Sequence, residues 1–276
     1  MINIKMKNIV IAGCSMSTDV TSLDSGQKNN STNKNYLGYP YFINERRPNK
    51  YNLYNAGRDA ADNGTIMRNL VDQVNSIEDK GLNVDFALIQ WSGSDRASKY
   101  IEARKEWSLS SFHGVTIVGE DREMWEKYFA EEHTEEQGVM NTLDNIFMSQ
   151  QFLKSKNIKY KMFCGWDLFT DSGEKDIFSK DISYENIDNK LLKDKFCHCQ
   201  IDTHNSQFGI TDYWDMIDWD NWWFFSNDKI KYGGLTEWSQ YNLEKDKWYQ
   251  DDLHPSFEAH KKFKDDIILK IIDEEF

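Results

Sequence analysis

The sequence has no apolar run long enough to cross a bilayer. The one nearest the N-terminus, Ile9 to Ala12, falls far short of the roughly 18 to 20 residues a spanning helix needs. It is also too short for the apolar stretch of an export signal. The expectation is a soluble chain with no signal peptide and no transmembrane segment. Cysteine is scarce: four in 276 residues cannot staple a disulfide scaffold. The three prolines, set against many Asn, Lys and Ile, mark an AT-rich coding bias and say nothing about activity. Basic charge is short as well, 33 Lys and Arg against 46 Asp and Glu. A net charge of −13 argues against nucleic acid or an anionic membrane as partner, and leaves a small or neutral substrate open.

Aromatic residues are plentiful instead. They make up 14% of the chain, enough to build a core although hydrophobic residues reach only 39%. Short apolar runs ending in small residues read as buried strands: Asn8 to Gly13, Tyr51 to Asn55, Val84 to Trp91, Lys159 to Cys164 and Trp222 to Phe225. Between them lie helical patterns. Ile66, Leu70, Val74 and Ile77 recur at three- to four-residue spacing, and further helices are expected over 36–45, 122–132, 142–156 and 254–272. Trp107 to Gly119 reads as irregular with a short strand at Val115 to Val118, and 171–213 gives no clear pattern. Strands alternating with helices predict an α/β fold with a mostly parallel sheet covered on both faces.

Functional groups in such a sheet gather beyond the carboxyl ends of its strands. Three of those ends carry small polar residues: Ser15, the turn from Asn55 to Asn63, and Ser92. Near the C-terminus, Asp251-Asp252-Leu253-His254-Pro255 sets a carboxylate three residues before a histidine. Proline is expected at the first helical position, which leaves the His254 ring free to enter a cleft. Asp251 could then hold one ring nitrogen while the other acts as base, with Ser15 as nucleophile. Taken singly, Ser15 reads as a turn serine and Asp251 with His254 as a helix cap; their joint occurrence favours the triad. His260 reads as a packing or surface residue, and Cys14 as a small buried hydrophobe. No metal is expected: Cys197-His198-Cys199 with His204 fits no familiar zinc spacing, and the run Asp212, Asp215, Asp218, Asp220 lacks the glycine and terminal glutamate of a calcium loop. The tryptophans interleaved with that run read as core packing, or as rings that stack on sugars.

Four blocks in order make the chain resemble the SGNH (GDSL-type) hydrolase family. Gly13-Cys14-Ser15 stands where the family has Gly-Asp-Ser, and Asp251 with His254 matches its Asp-x-x-His. Asn55-Ala56-Gly57-Arg58-Asp59-Ala60-Ala61-Asp62-Asn63 resembles the second-block turn, with Ala60 at the glycine position. Ser92, after Ile89-Gln90-Trp91, stands at the third-block asparagine. The pattern is most similar to divergent bacteriophage-encoded members, in which Cys replaces the first-block Asp. The resemblance implies one three-layer α/β/α domain over residues 1–276, around a five-stranded, flavodoxin-like parallel sheet, with insertions around 107–135 and 171–250. It implies ester hydrolysis by Ser15, His254 and Asp251 through an acyl-enzyme, with no cofactor. The Ser15 and Ala60 amides and the Ser92 hydroxyl would form the oxyanion hole, and Asn55, Asn63 and Trp91 are candidate substrate-binding residues. A serine is shorter than asparagine, so the hole is expected to be weakened and the enzyme slow or specialised. A carbohydrate O-acetyl ester is the favoured substrate, and a transacylase would use the same triad. The alternative is a weak or inactive SGNH-fold protein that binds carbohydrate or takes part in virion assembly. The expected setting is cytoplasmic or virion-associated.

Overall fold

The computed structural model describes residues 6–18, 38–47, 50–94, 96–111, 121–166, 168, 215–227, 230, 232–249 and 254–276. Among these, five strands form one parallel sheet: β1 (Lys7–Ala12), β2 (Tyr51–Asn55), β3 (Phe86–Trp91), β6 (Lys159–Cys164) and β7 (Trp222–Trp223), in the order β2-β1-β3-β6-β7. Every pairing is parallel, with Ile11 opposite both Asn55 and Leu88. β1 and β3 read as continuous apolar runs because both faces of the sheet are covered. Val10, Ala12, Ala87, Ile89 and Trp91 point to one layer; Ile9, Ile11, Phe86 and Leu88 point to the other.

The first layer is built by α2 (Asn63–Glu78) and α4 (Glu135–Ser155). α2 buries the Ile66, Leu70, Val74 and Ile77 stripe, and Asp62 caps it by accepting from the Thr65 amide. Such a cap is worth about 1 kcal/mol. The second layer holds α1 (Tyr39–Arg46), α5 (Leu235–Asn242), α6 (Phe257–Phe263) and α7 (Leu269–Glu275). A π-helical stretch, Lys264–Ile268, joins α6 to α7 without a break. At its far end Asp273 accepts from Arg47, from Lys50 Nζ (2.8 Å) and from Tyr51 OH (3.0 Å), tying the C-terminal helix to the start of β2. The result is a three-layer α/β/α sandwich, the fold class expected.

Several elements depart from the expectation. β4 (Arg96–Ile101) and β5 (Glu106–Ser111) form a separate antiparallel hairpin after β3, where Trp107 onward reads as irregular. Lys105 turns it with φ 55. Its alternation is half exposed and polar on both faces, so the apolar period that reveals a strand is missing. α3 (Arg122–Glu131) follows, and α4 begins seven residues before the expected Thr142, capped by Thr134 through the Gln137 amide. α5 was not expected at all. Pro255 is not the first helical residue: it bridges to Tyr249, and Ser256 caps α6 through the Ala259 amide. The segment Val115 to Val118 and the whole of 171–213, with the Cys197 to His204 group, lie outside the described residues.

Candidate active site

The strand order places its reversal at β1, whose neighbours β2 and β3 lead away on either side. In open parallel sheets that crevice, beyond the carboxyl ends, is where ligands bind. β1 delivers Gly13, Cys14 and a single 3₁₀ turn, Ser15–Ser17, into it. The turn is closed by Ser17 N–H on Cys14 O (2.9 Å) and Thr18 N–H on Ser15 O (3.2 Å). Gly13 is required there: a Cβ would sit 2.3 Å from Ser17 Oγ. Beneath the turn, buried Gln90 accepts from Ser17 Oγ (2.9 Å), meets Cys14 Sγ, and donates to Trp91 O (2.8 Å), while Ser17 Oγ also meets Tyr39 OH (3.1 Å). Cys14 is fully buried and committed to this network. The polar groups under Ser15 thus hold one another and fix its backbone.

Ser15 Oγ lies 2.8 Å from His254 Nε2, across a sequence separation of 239 residues. His254 is held from the C-terminal side by the Pro255–Tyr249 bridge, the Ser256 amide on Trp248 O (3.0 Å) and Ser256 Oγ on Lys247 O. A neutral imidazole that accepts the Ser15 proton at Nε2 must carry its own proton at Nδ1. Asp251, expected to receive that proton, lies outside the described residues.

The loop after β2 brings a second acid to the histidine. Asp59 is half-buried, and burial raises its carboxyl pKa, an effect opposed by the nearby His254 and by a bond from the Thr18 hydroxyl. Asp59 falls within the second-block turn, and its place directly before Ala60 is the one sequence signal of this role. His260, read as packing or surface, is 3% exposed, and its Nδ1 finds no partner. Burial, then the neighbouring His254, pushes its pKa down to about 3, so it stands neutral beside the first imidazole.

Ala60 adopts φ 58, the left-handed region that favours glycine. Its amide and that of Ser15 donate to no group among the described residues. The Ser92 hydroxyl is also buried, with no partner among the described residues. Three donors at the ends of β1, β2 and β3 are therefore uncommitted. The expected substrate-binding residues fare differently. Asn63 is saturated: its Nδ2 donates to Ser92 O and Thr142 Oγ1, and its Oδ1 accepts from Ser92 N, all within 2.9 Å. Trp91 is fully buried with its indole N–H on Met162 Sδ, so it belongs to the core and not to a substrate surface. Both faces of β3 are covered, so the Trp91 ring enters a core layer and not the crevice. Asn55 Oδ1 accepts from Gly57 N (2.8 Å), which shapes the turn, while its Nδ2 is buried with no partner among the described residues. Farther along, Trp219, Trp222 and Phe224 pack on one another, with Trp222 and Phe224 stacked at 5.3 Å.

Among the described residues no group of His, Cys, Asp or Glu is arranged to hold a metal ion, and no helix is long and apolar enough to cross a membrane. No protein-family model matches the chain, and no curated protein sequence does. Among solved structures, a lipase from a goat rumen metagenome aligns over 96% of this chain and 97% of its own, at 11% identity and a TM-score of 0.39.

Proposed function

We propose that the protein is a serine ester hydrolase of SGNH type, acting on a carbohydrate ester, with an O-acetyl group as the favoured acyl. The observation that carries this reading is the 2.8 Å contact between Ser15 Oγ and His254 Nε2 at the crevice of the parallel sheet. In the proposed reaction Ser15 Oγ attacks the ester carbonyl as its proton passes to His254 Nε2. The tetrahedral adduct collapses, the carbon–oxygen bond to the leaving alcohol breaks, and His254 returns the proton to that alcohol. Water then repeats the sequence on the acyl-enzyme, releasing the acid and regenerating Ser15. Asp251 is assigned by the family spacing to orient His254 and balance its imidazolium; Asp59 adds negative charge nearby once ionised.

The oxyanion is assigned to the Ser15 and Ala60 amides and the Ser92 hydroxyl. Their lack of other partners supports the assignment, since a donor spent on a protein carbonyl could not turn to a substrate. The φ of Ala60 supports it too: strain of roughly 1–2 kcal/mol for a left-handed alanine is retained where a backbone N–H must face a particular way. Each such donor contributes on the order of 3 kcal/mol to transition-state stabilisation. The test is labelling with a fluorophosphonate probe. Ser15 should carry the adduct in the wild type, and neither Ser15→Ala nor His254→Ala should label. Absence of an adduct on wild-type Ser15, where a control esterase reacts, would overturn the proposal. Glycan binding that survives Ser15→Ala, without acetate release by the wild type, would mark a binding protein instead.

A further inference from the structure

Three arginines of this acidic chain lie against carboxylates. Arg47 lies against Asp273, Arg104 against Glu106 and Asp121, and Arg68 within 3.9 Å of Asp62. Arg96 has no carboxylate partner among the described residues. Its guanidinium sits 5.2 Å over the Trp166 ring, and its one side-chain hydrogen bond among the described residues is long, Nη1 to Ala61 O at 3.4 Å. A guanidinium carries five N–H donors, so most of those on Arg96 are uncommitted. The side chain comes from the first residue of the β4–β5 hairpin and overhangs the sheet's carboxyl edge, touching the residue after Ala60 and the residue two beyond β6.

Arg96 also lines a cleft of about 80 Å³ between that hairpin, the start of α2 and the first half of α4. Asp62, Ser98, His133, Asn141 and Asn145 line it with Arg96, so amides, a hydroxyl and an imidazole face the space. The one carboxylate there is already answered. Asp62 accepts from Thr65 N (2.9 Å) and Ser98 Oγ (2.9 Å), with Arg68 beside it. Pairing Asp62 against Arg68 leaves Arg96, among the described residues, as one uncompensated positive charge on the wall. The cleft adjoins the candidate active site through shared residues: Asn63, which lines it, bonds both the amide and the carbonyl of Ser92.

We infer that this cleft is a subsite for an anionic saccharide, with Arg96 receiving the carboxylate of a uronic-acid unit of the substrate. The saccharide half rests on the carbohydrate-ester reading above; the anionic half rests on Arg96 alone. A planar guanidinium already lying over an indole is placed to take a carboxylate in two parallel hydrogen bonds, which a lysine cannot copy. At about 80 Å³ the space accepts the carboxylate and the edge of the ring that bears it. The rest of the sugar extends along the hairpin toward Ser92 and Ala60. The polar side chains at the cleft suit ring hydroxyls, which need both donors and acceptors.

Titration calorimetry on the full chain tests this with trigalacturonate and, as the neutral counterpart, maltotriose. Trigalacturonate should bind at least tenfold more tightly than maltotriose in low salt. Arg96→Gln should weaken it at least tenfold, about 1.4 kcal/mol, and Arg96→Lys should recover only part of that. Unfolding midpoints of both variants establish that they are folded, and Arg96→Lys decides the matter if Arg96→Gln is not. Equal affinity for the two trisaccharides, unchanged binding in Arg96→Gln, or no binding of trigalacturonate overturns the inference. Because binding is read without turnover, this failure is distinct from a failure of Ser15 to label.

Discussion

Acidification from pH 7 to pH 5 should cost the protein about 2 kcal/mol of stability through His260 alone. In the folded chain His260 is buried beside His254, with Nδ1 unpartnered, and its pKa is pushed down to about 3 from the ordinary 6.5. The unfolded chain therefore takes up a proton below pH 6.5, while the folded chain does not until about pH 3. Where the unfolded state binds more protons, stability rises with pH; so this contribution is complete above pH 6.5 and is lost as pH falls toward 3. At pH 5 the unfolded imidazole is almost fully protonated, which gives about 2 kcal/mol relative to pH 7, nearly independent of the folded value so long as it lies below about 4. Urea unfolding at the two pH values, in the wild type and in His260→Leu, isolates the effect. The leucine variant should lose about 2 kcal/mol less than the wild type over the interval. Its absolute stability is irrelevant, because only the difference between pH values is read. Equal losses in the two proteins, within about 0.5 kcal/mol, would refute the reasoning and mean that His260 reaches solvent or a proton acceptor.

Ala60→Gly should raise stability by roughly 0.5–1 kcal/mol in urea unfolding, since relief of the left-handed alanine outweighs the greater freedom of glycine in the unfolded chain. Ser92→Ala should lower kcat about 100-fold on an acetyl ester while leaving the unfolding midpoint unchanged or slightly raised, because its hydroxyl is buried without a structural partner. A serine that merely packs would leave kcat alone. Gly13→Ala should destabilise by about 1–3 kcal/mol through overpacking. Its Cβ would meet Ser17 Oγ at 2.3 Å, and labelling of Ser15 should fall with the displaced turn.

The sheet was legible because β1 and β3 are apolar on both faces, a run that polar helices and loops cannot imitate. Its strands fall where the runs do, and β2 and β6 match to the residue. The hairpin was not legible, since its two strands bury one side only in part and answer to side-chain pairs such as Arg68 on Trp107, 3.9 Å apart, which no period announces. Ser15 and His254 could be named from spacing, yet nothing in the sequence said that they touch; that follows from β1 and the C-terminal helix ending on the same edge. Trp91 misled because both faces of β3 are covered, so a ring at its end packs in a layer whichever way it points. Asp59, His260 and Arg96 escaped because their significance lies in what surrounds them, an imidazole, burial and, among the described residues, the lack of a carboxylate, and these are properties of the folded chain.

The π stretch Lys264–Ile268 makes the C-terminal helix a shaft with a set angle. Asp273 is clamped at one end by Arg47, Lys50 and Tyr51, and His254 is carried at the other, just ahead of the Ser256 cap. Each residue of an α-helix turns the chain by about 100°. Removing one residue from Lys264–Ile268 would keep every functional group and still rotate the histidine away from Ser15 by about that angle. The number of residues in this wide turn is thus as much a determinant of the Ser15–His254 contact as either side chain.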